Sequence, residues 1–310
     1  MNNLLNHIKY IFLALRPRQW VKNLLVFAFL FYNRDMFNLH DDIIVILSFC
    51  ILVILSSSAY LINDIVDYKR DRIHPQKKHR PIAAGFISRS EALIISIILF
   101  AVGLFFAILI SEYLAGIFVA YYIIVVVYSL YLKEILIIDS LTTATLFVLR
   151  VMAGGVVIGS AINSWFVIFI VALSLFVSFG KRRAEITIMS FKNAVIHRNV
   201  LKSYPKELLD NLIAMTAAAT FMSYILFSYT EDLNAHTPNL ISSILPSHLK
   251  NPHWVKVTIP IIFYIIARYM YNLYVKKEGG IPETIWYKDR PLFIAIIVYF
   301  LVTFFVLYIV

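Results

Sequence analysis

Apolar runs of membrane-spanning length follow one another along the chain, separated by short polar stretches. The pattern predicts nine spanning helices, at 21–38, 42–62, 91–110, 113–132, 135–159, 163–180, 208–228, 256–275 and 292–309. The first is the least apolar, with Lys22 and Asn23 at its start and Arg34 and Asp35 near its end. Residues 1–20 mix Lys9, Arg16 and Arg18 with apolar side chains, and are expected to lie at the membrane interface. No Gly/Ser linker or low-complexity tract divides the chain. The expectation is an all-α polytopic membrane protein, one transmembrane domain over 1–310, with backbone groups satisfied inside helices.

Charge adds an orientation. Basic residues fall in alternate polar segments. One set holds Lys9, Arg16, Arg18 and Lys22, the cluster from Lys69 to Arg89, Lys133, then Lys181 to Lys206, and finally Lys276 to Arg290. The other set holds Arg34, Lys250 and Lys256. The positive-inside rule then predicts a cell (inner or plasma) membrane protein with a cytoplasmic N-terminus and an outside C-terminus. The net charge of +10 is therefore read as loop charge, and no nucleic-acid partner is expected. Cys50, the one cysteine, lies in an apolar run and offers no disulfide framework. No cleavable signal peptide is expected. The polar loop from Glu231 to Lys250 is assigned no chemistry.

The chemistry concentrates in one stretch, Tyr60 to Gly85, at the end of the second apolar run. Asn63, Asp67 and Asp71 recur every fourth residue, with Asp64 beside them. On a helix such oxygens are expected to share a face, and oxygen donors at a membrane boundary suit a hard cation such as Mg²⁺. Lys69, Arg70, Arg72, Lys77, Lys78 and Arg80 follow at once. Metal ligands beside a basic loop suit a magnesium-bridged diphosphate, with Lys and Arg taking the remaining phosphate oxygens. A solvated topological loop is the plainer reading, but it needs no helical register of Asp.

Other cytoplasmic segments add cations. Lys22 in Arg16-Pro-Arg-Gln-Trp-Val-Lys-Asn23 is either a phosphate ligand or a snorkelling anchor beside Trp20. Tyr128, Tyr131 and Lys133 close the fourth span. Arg150 lies deep in the fifth, on a stripe with Asp139 and Thr143, where an ionisable group is either functional or a buried structural pair. Gly154 and Gly155 permit close helix packing. Lys181, Arg182, Arg183 and Glu185 end the sixth span, as a site or as topology alone. Arg268 lies within the eighth span. The loop Gly279 to Pro291 reads as a shaped turn whose charges close a cavity mouth. Together these describe a bundle with a cytoplasmic-facing cavity, suited to joining a diphosphate compound to a lipid.

The pattern Asn63-Asp64-x-x-Asp67-x-x-x-Asp71 resembles the UbiA-type intramembrane prenyltransferase superfamily, which implies nine transmembrane helices and an Asp-rich motif holding Mg²⁺-diphosphate. RPRQWVKN at 16–23, HPQKKHRPIAAG at 74–85, YSLYLK at 128–133, VLRVMAGG at 148–155, FGKRRAE at 179–185 and GGIPETIWYKDRPL at 279–292 look like one branch, the decaprenyl-phosphate phosphoribosyltransferases. One departure from the wider superfamily is informative. Aromatic prenyltransferases carry a second Asp-rich motif after the sixth span, where this chain has Lys181, Arg182, Arg183 and Glu185. Extra cations in place of a second metal suit a donor and an acceptor that each carry phosphate.

The resemblance implies transfer of 5-phosphoribose from 5-phosphoribosyl 1-diphosphate to a polyprenyl phosphate for cell-envelope glycan precursors, with Mg²⁺ as cofactor. It implies metal binding by Asn63 and Asp67, supported by Asp64 and Asp71, and catalytic roles for Asp64, Asp67, Lys133 and Arg150. Lys22, Tyr60, Tyr128 and Lys133 would hold the donor. Lys77, Arg80 and Arg182 would orient the lipid phosphate, with donor and acceptor roles exchangeable among these residues, and Lys181 and Glu185 would bind substrate. The alternative is a prenyltransferase moving a prenyl group to an aromatic or other acceptor. A transporter using Arg150, Asp139 and Arg268 explains the intramembrane charge but not the Asn/Asp register. Oligomeric state is left open, a homo-oligomer included.

Overall fold

The structure is a computed structural model that describes residues 2–74, 77–160, 163–188, 204–230, 254–276 and 288–309. Among the described residues all regular structure is helical. Seven helices among the described residues are long and apolar enough to cross a membrane. The chain divides into two compact units, Met1–Ala161 and Ile162–Val310.

The first unit holds α1 (Asn2–Ala14), a 3-10 segment (Pro17–Phe27), α2 (Ala28–Tyr32), α3 (Leu39–Val66), α4 (Tyr68–Ile73), α5 (Arg89–Ile110), α6 (Glu112–Leu130) and α7 (Ile138–Val157). The predicted first span is thus no continuous α-helix. Pro17 starts the segment with a preset φ and no N–H to donate. An 11-residue 3-10 run is far longer than the usual three or four residues, so it needs support from its neighbours. α3 starts at Asn38, whose side chain accepts from the His40 N–H at 3.2 Å, and Asp41 and Asp42 complement the helix dipole. It packs antiparallel on α5: Leu55 faces Gly103, and Ser58 faces Ser96. The two serines exchange hydroxyl-to-carbonyl bonds at 2.8 and 3.0 Å, so neither leaves a polar group bare in the bilayer. The core beneath gathers Val26, Leu52, Leu55, Ala59, Phe118 and Tyr121.

α1 docks by Ala14 and by Tyr10, whose ring stacks on Phe86 at 3.9 Å. Leu5, Ile8 and Phe12 on its opposite face stay exposed, as expected of an interfacial helix. α5 likewise exposes Ile94, Ile98, Phe105 and Leu109, a lipid-facing stripe.

The second unit holds α8 (Ser164–Ile188), α9 (Lys206–Thr230), α10 (Ile259–Tyr274) and α11 (Arg290–Tyr308). Aromatic rings bind it together: Phe166 meets Phe227 at 5.0 Å, and Phe169 meets Tyr224 at 5.2 Å. α10 has 16 residues, which at about 1.5 Å each falls short of a ~30 Å hydrocarbon core. A 3-10 turn, Trp254–Thr258, precedes it.

Asp289 fixes the start of α11. It accepts from the Leu292 N–H at 2.9 Å as the helix cap. Arg268 donates to both of its oxygens, at 2.9 and 3.0 Å, and Lys276 donates at 2.6 Å. The Arg268 bonds hold its carboxyl well below the usual range, and Lys276, Leu292 and Asn272 add to this against the opposing effect of burial. A lowered folded pKa gives stability that is full above the unfolded value, about 3.9, and is lost as pH falls toward the folded one. Asp289→Asn keeps the cap but uncouples both cations, so it is expected to lower the melting temperature in detergent at pH 7. The deficit is expected to shrink below about pH 4. An equal deficit at every pH would contradict the ion-pair account.

Candidate active site

α3 carries the Asp-rich pattern to its end, and Asp67 caps it and leads into α4. The backbone keeps helical register through the junction: the Asp67 N–H donates to Asn63 O at 2.9 Å and the Asp71 N–H to Asp67 O at 2.8 Å. The four side chains nevertheless divide into two pairs. Asn63 and Asp67, one turn apart, face α6 and the turn after it. The Ser129 hydroxyl donates to Asn63 Oδ1 at 3.1 Å, and Lys133 Nζ lies 2.5 Å from Asp67 Oδ1. Asp64 and Asp71, two turns apart, face Arg16 and Arg80. Arg80 donates to Asp64 at 3.0 Å and to Asp71 at 2.6 Å, and Arg16 pairs closely with Asp64. Each pair of donors therefore meets its own cations.

Asp64 and Asp71 are both almost wholly buried. Burial pushes the Asp71 carboxyl above its usual range, although Arg80 and Lys77 pull it down. Burial also opposes the charge on Arg16, but Asp64 beside it, with Tyr60 and Asp71 nearby, leaves its pKa raised. Arg16 itself has φ of +55° and rests over the Tyr60 ring at 5.3 Å. The left-handed backbone turns the interfacial helix into the 3-10 segment and brings the guanidinium back onto α3.

Arg150 is buried in α7. Its Nε donates to Asn23 Oδ1 at 3.0 Å, Nη1 to Leu146 O at 2.8 Å and Nη2 to the Tyr121 hydroxyl at 2.8 Å. Its guanidinium also lies 4.9 Å from the Tyr121 ring centre and 5.3 Å from that of Phe147. Every one of these partners is neutral, and among the described residues Arg150 forms no ion pair of the kind expected as an alternative.

In the second unit Arg182 is buried and donates to Glu185 at 2.9 Å, one turn along α8. Lys181 lies beside them, half-buried. Arg183 reaches instead to Asp210 on α9 at 2.7 Å. Pro75 and Gln76, Lys192, Arg198 and Lys202, the Glu231 to Lys250 loop and the Gly279 to Tyr287 part of the last loop lie outside the described residues.

Residues 24–182 match the model of the UbiA prenyltransferase family. The chain is 33% identical over 283 residues to the decaprenyl-phosphate phosphoribosyltransferase of Corynebacterium glutamicum, covering 90% of this chain and 81% of that one. It belongs to the UbiA prenyltransferase family. The Mycolicibacterium smegmatis protein of the same name is 30% identical, over 90% of this chain and 86% of its own. A UbiA homolog from Archaeoglobus fulgidus, solved bound to GPP and Mg²⁺, superposes with a TM-score of 0.69 at 20% identity, over 96% of this chain and 99% of that one. The fold is therefore the all-helical UbiA fold of a multi-pass membrane protein.

In this UbiA-family chain the Asn63 and Asp67 pair suits a magnesium ion. One amide oxygen and one carboxylate, both half-buried, form a set of hard oxygen donors. Among the described residues no three His, Cys, Asp or Glu side chains converge as a metal cluster. Two donors are too few for a protein-only cage. They match a small cation that keeps waters and takes further ligands from substrate phosphates.

Sequence reasoning singled out Asn63, Asp64, Asp67, Asp71, Arg80 and Lys133, and the structure brings them into these two adjoining sets. Lys77 lies close enough to Asp71 to pull on its charge. Lys22 and Tyr128 are half-buried in the same unit. Arg16, Asn23, Tyr121 and Ser129 were not singled out. A polar Asn inside an apolar run, and a Ser four residues before Lys133, were the available signals.

Proposed function

We propose that this chain transfers 5-phosphoribose from 5-phosphoribosyl 1-diphosphate to a polyprenyl phosphate, releasing pyrophosphate and giving polyprenylphosphoryl-5-phosphoribose for cell-envelope glycan precursors. The observation that carries the reading is likeness over nine-tenths of the chain to enzymes named for transfer to decaprenyl phosphate. The cation-rich surroundings of the Asp-rich motif support it, because two phosphorylated substrates must be neutralised together.

Asn63 and Asp67 would hold Mg²⁺, with Asp64 and Asp71 in support. Bound there, the metal supplies charge neutralisation that makes pyrophosphate a better leaving group. Lys133 then exchanges Asp67 for a phosphate oxygen. Lys22, Tyr60 and Tyr128 grip the donor with it. Lys77 and Arg80 serve the lipid phosphate, and the resemblance gives Lys181, Arg182 and Glu185 substrate-binding roles. A lipid phosphate oxygen attacks ribose C1 as the C1–O bond to diphosphate breaks and its electrons leave with pyrophosphate. The attacking phosphate monoester is already ionised near pH 7, so no general base is required. Catalysis is positioning and electrostatics.

Purified protein given labelled phosphoribosyl diphosphate and polyprenyl phosphate is expected to put label into the lipid fraction with Mg²⁺ and none with a chelator. Folded protein that labels no lipid, but transfers a prenyl group from prenyl diphosphate to an acceptor, would replace this reading with the prenyltransferase one.

We also propose nine crossings, the 3-10 segment with α2 and the 3-10 turn with α10 completing the seven long helices. The basic loops then lie in the cytoplasm, with the N-terminus inside and the C-terminus outside. A periplasm-dependent phosphatase reporter fused after Val310 is expected to be active and one fused after Ile110 likewise, while a fusion after Lys133 is inactive. An active fusion after Lys133 reverses the assignment.

A further inference from the structure

A buried guanidinium with neutral partners is costly in a bilayer, so its place in the fold calls for a reason. Arg150 sits on α7 where the 3-10 segment crosses it. Asn23, fully buried in that segment, joins two helices through one amide. Its Nδ2 donates to Ser56 Oγ of α3 at 3.0 Å, and its Oδ1 accepts from Arg150 Nε at 3.0 Å. Three residues after Asn23 the packing tightens. A Cβ on Gly154 would lie 1.8 Å from the Val26 carbonyl oxygen, and one on Gly155 would meet the Phe29 ring at 2.7 Å. At the other end the Trp20 indole N–H donates to Ser57 Oγ at 3.1 Å. Hydrogen-bond geometry in a 3-10 helix is poorer than in an α-helix, so these tertiary anchors are what support a run of this length.

The segment carries two cations of the site. Arg16 begins it, held by Asp64 and Tyr60. Lys22 directly precedes Asn23. Any rotation of the segment about its axis would redirect both.

We propose that Arg150 is a positioning residue, acting through Asn23 to fix the 3-10 segment and so to aim Lys22 and Arg16 at substrate phosphate, and that it makes no phosphate contact itself. Its three hydrogen bonds and two ring faces already occupy the guanidinium on neutral groups, with Tyr121 clamping the far side. The proposal rests on the transferase reading only for its kinetic arm.

The test compares Asn23→Leu, Arg150→Met, the double variant and Asn23→Asp, each measured per folded protein. Two readouts are used: KM and kcat for phosphoribosyl diphosphate, and the thermal shift given by magnesium pyrophosphate. A positioning role predicts that Asn23→Leu and Arg150→Met each lower kcat/KM by about 10–100-fold, chiefly through KM, and weaken the pyrophosphate shift. The double variant is expected to be no worse than the poorer single one, because both act as one unit. Asn23→Asp keeps an acceptor for Arg150 and is expected to restore most of the binding even though it neutralises the guanidinium. Direct phosphate binding by Arg150 predicts the reverse: additive losses, with Asn23→Asp as damaging as Arg150→Met. That result overturns the proposal. So does an unchanged KM with only a lower melting temperature, which marks a purely structural bond. If the wild type binds pyrophosphate but does not transfer phosphoribose, the transferase reading fails and the pyrophosphate arm still decides. If it binds no pyrophosphate, the phosphate-aiming role fails.

Discussion

Asp67→Ala is expected to remove transfer, by about 10³-fold or more, in a protein that still folds. Asp67 is the carboxylate of the half-buried Asn63 and Asp67 set, and Asn63 adds no charge to it. Truncation removes the charged one of the two direct donors proposed for the metal. It also leaves Lys133, nearly buried, without the carboxylate 2.5 Å away. Loss of that carboxylate weakens the pairing of the Lys133 ammonium, so a lower melting temperature accompanies the loss. Asp67→Asn separates the two effects. It keeps shape and a hydrogen-bond acceptor for Lys133, so the fold is better preserved, but an amide is a weak magnesium donor. Transfer is expected to stay lost. Titration with Mn²⁺ in the presence of pyrophosphate, read by electron paramagnetic resonance, checks the metal independently of turnover. Wild type is expected to hold the ion and both variants to release it. Turnover within tenfold of wild type in Asp67→Ala would sink the assignment.

Asp64→Asn is expected to behave differently, though it lies in the same motif. Its carboxylate is nearly buried between Arg16 and Arg80. Removing one charge from a set of two carboxylates and two guanidiniums leaves a net positive cluster and loosens the 3-10 entry and the basic loop together. Its manganese affinity is expected to change less than that of Asp67→Asn, while the melting temperature falls.

The difference between these two aspartates shows where the sequence was legible. The Asn/Asp register, the basic loop and Lys133 were readable, because helical spacing and charge are local properties. The division into two pairs was not. It depends on which cations approach each face of α3, and these come from segments 48, 66 and 16 residues away along the chain. The apolar runs likewise located α3, α5, α6, α7, α9 and α11 to within a few residues, and the start of α8, whose helix runs to Ile188, eight residues past the expected end at 180. They did not show that the first run is a 3-10 segment followed by a short α-helix, because hydropathy does not distinguish a 3-10 turn from an α-turn. Its signals were Pro17 and the polar Lys22-Asn23 pair inside an apolar run. Arg16 was quoted only as part of a motif, and nothing in its sequence neighbourhood reveals a φ of +55°. Asp289 was readable as more than loop charge: an Asp two residues before Pro291 is a helix-start signal.

Gly154→Ala is expected to be the most damaging single methyl in the first unit. A Cβ there would stand 1.8 Å from the Val26 carbonyl oxygen, and that oxygen belongs to the backbone of the 3-10 segment, so no rotamer relieves the clash. The segment must leave α7, which also breaks the Asn23 bond to Arg150 and leaves the buried Nε of that guanidinium without its acceptor. Overpacking alone typically costs about 1–3 kcal/mol, and the lost polar bond adds to it. Folded yield in detergent is expected to fall severely. The same methyl elsewhere gives a graded series. At Gly103 it meets the Leu55 side chain at 2.7 Å, and a leucine end can rotate away, so a modest loss is expected. At Gly155 it meets the edge of the Phe29 ring, which moves less freely in a packed core, so the loss is intermediate. At Gly116, exposed on α6, nothing lies within 4 Å, and alanine is expected to stabilise by up to about 1 kcal/mol through helix propensity. Melting temperatures in one detergent would rank the four. A Gly154→Ala protein that melts beside Gly116→Ala would mean that the segment does not run against α7. Arg150 and Asn23 would then have no shared role, whereas the predicted order ties the close backbone approach, the buried amide and the aim of Lys22 to one physical cause.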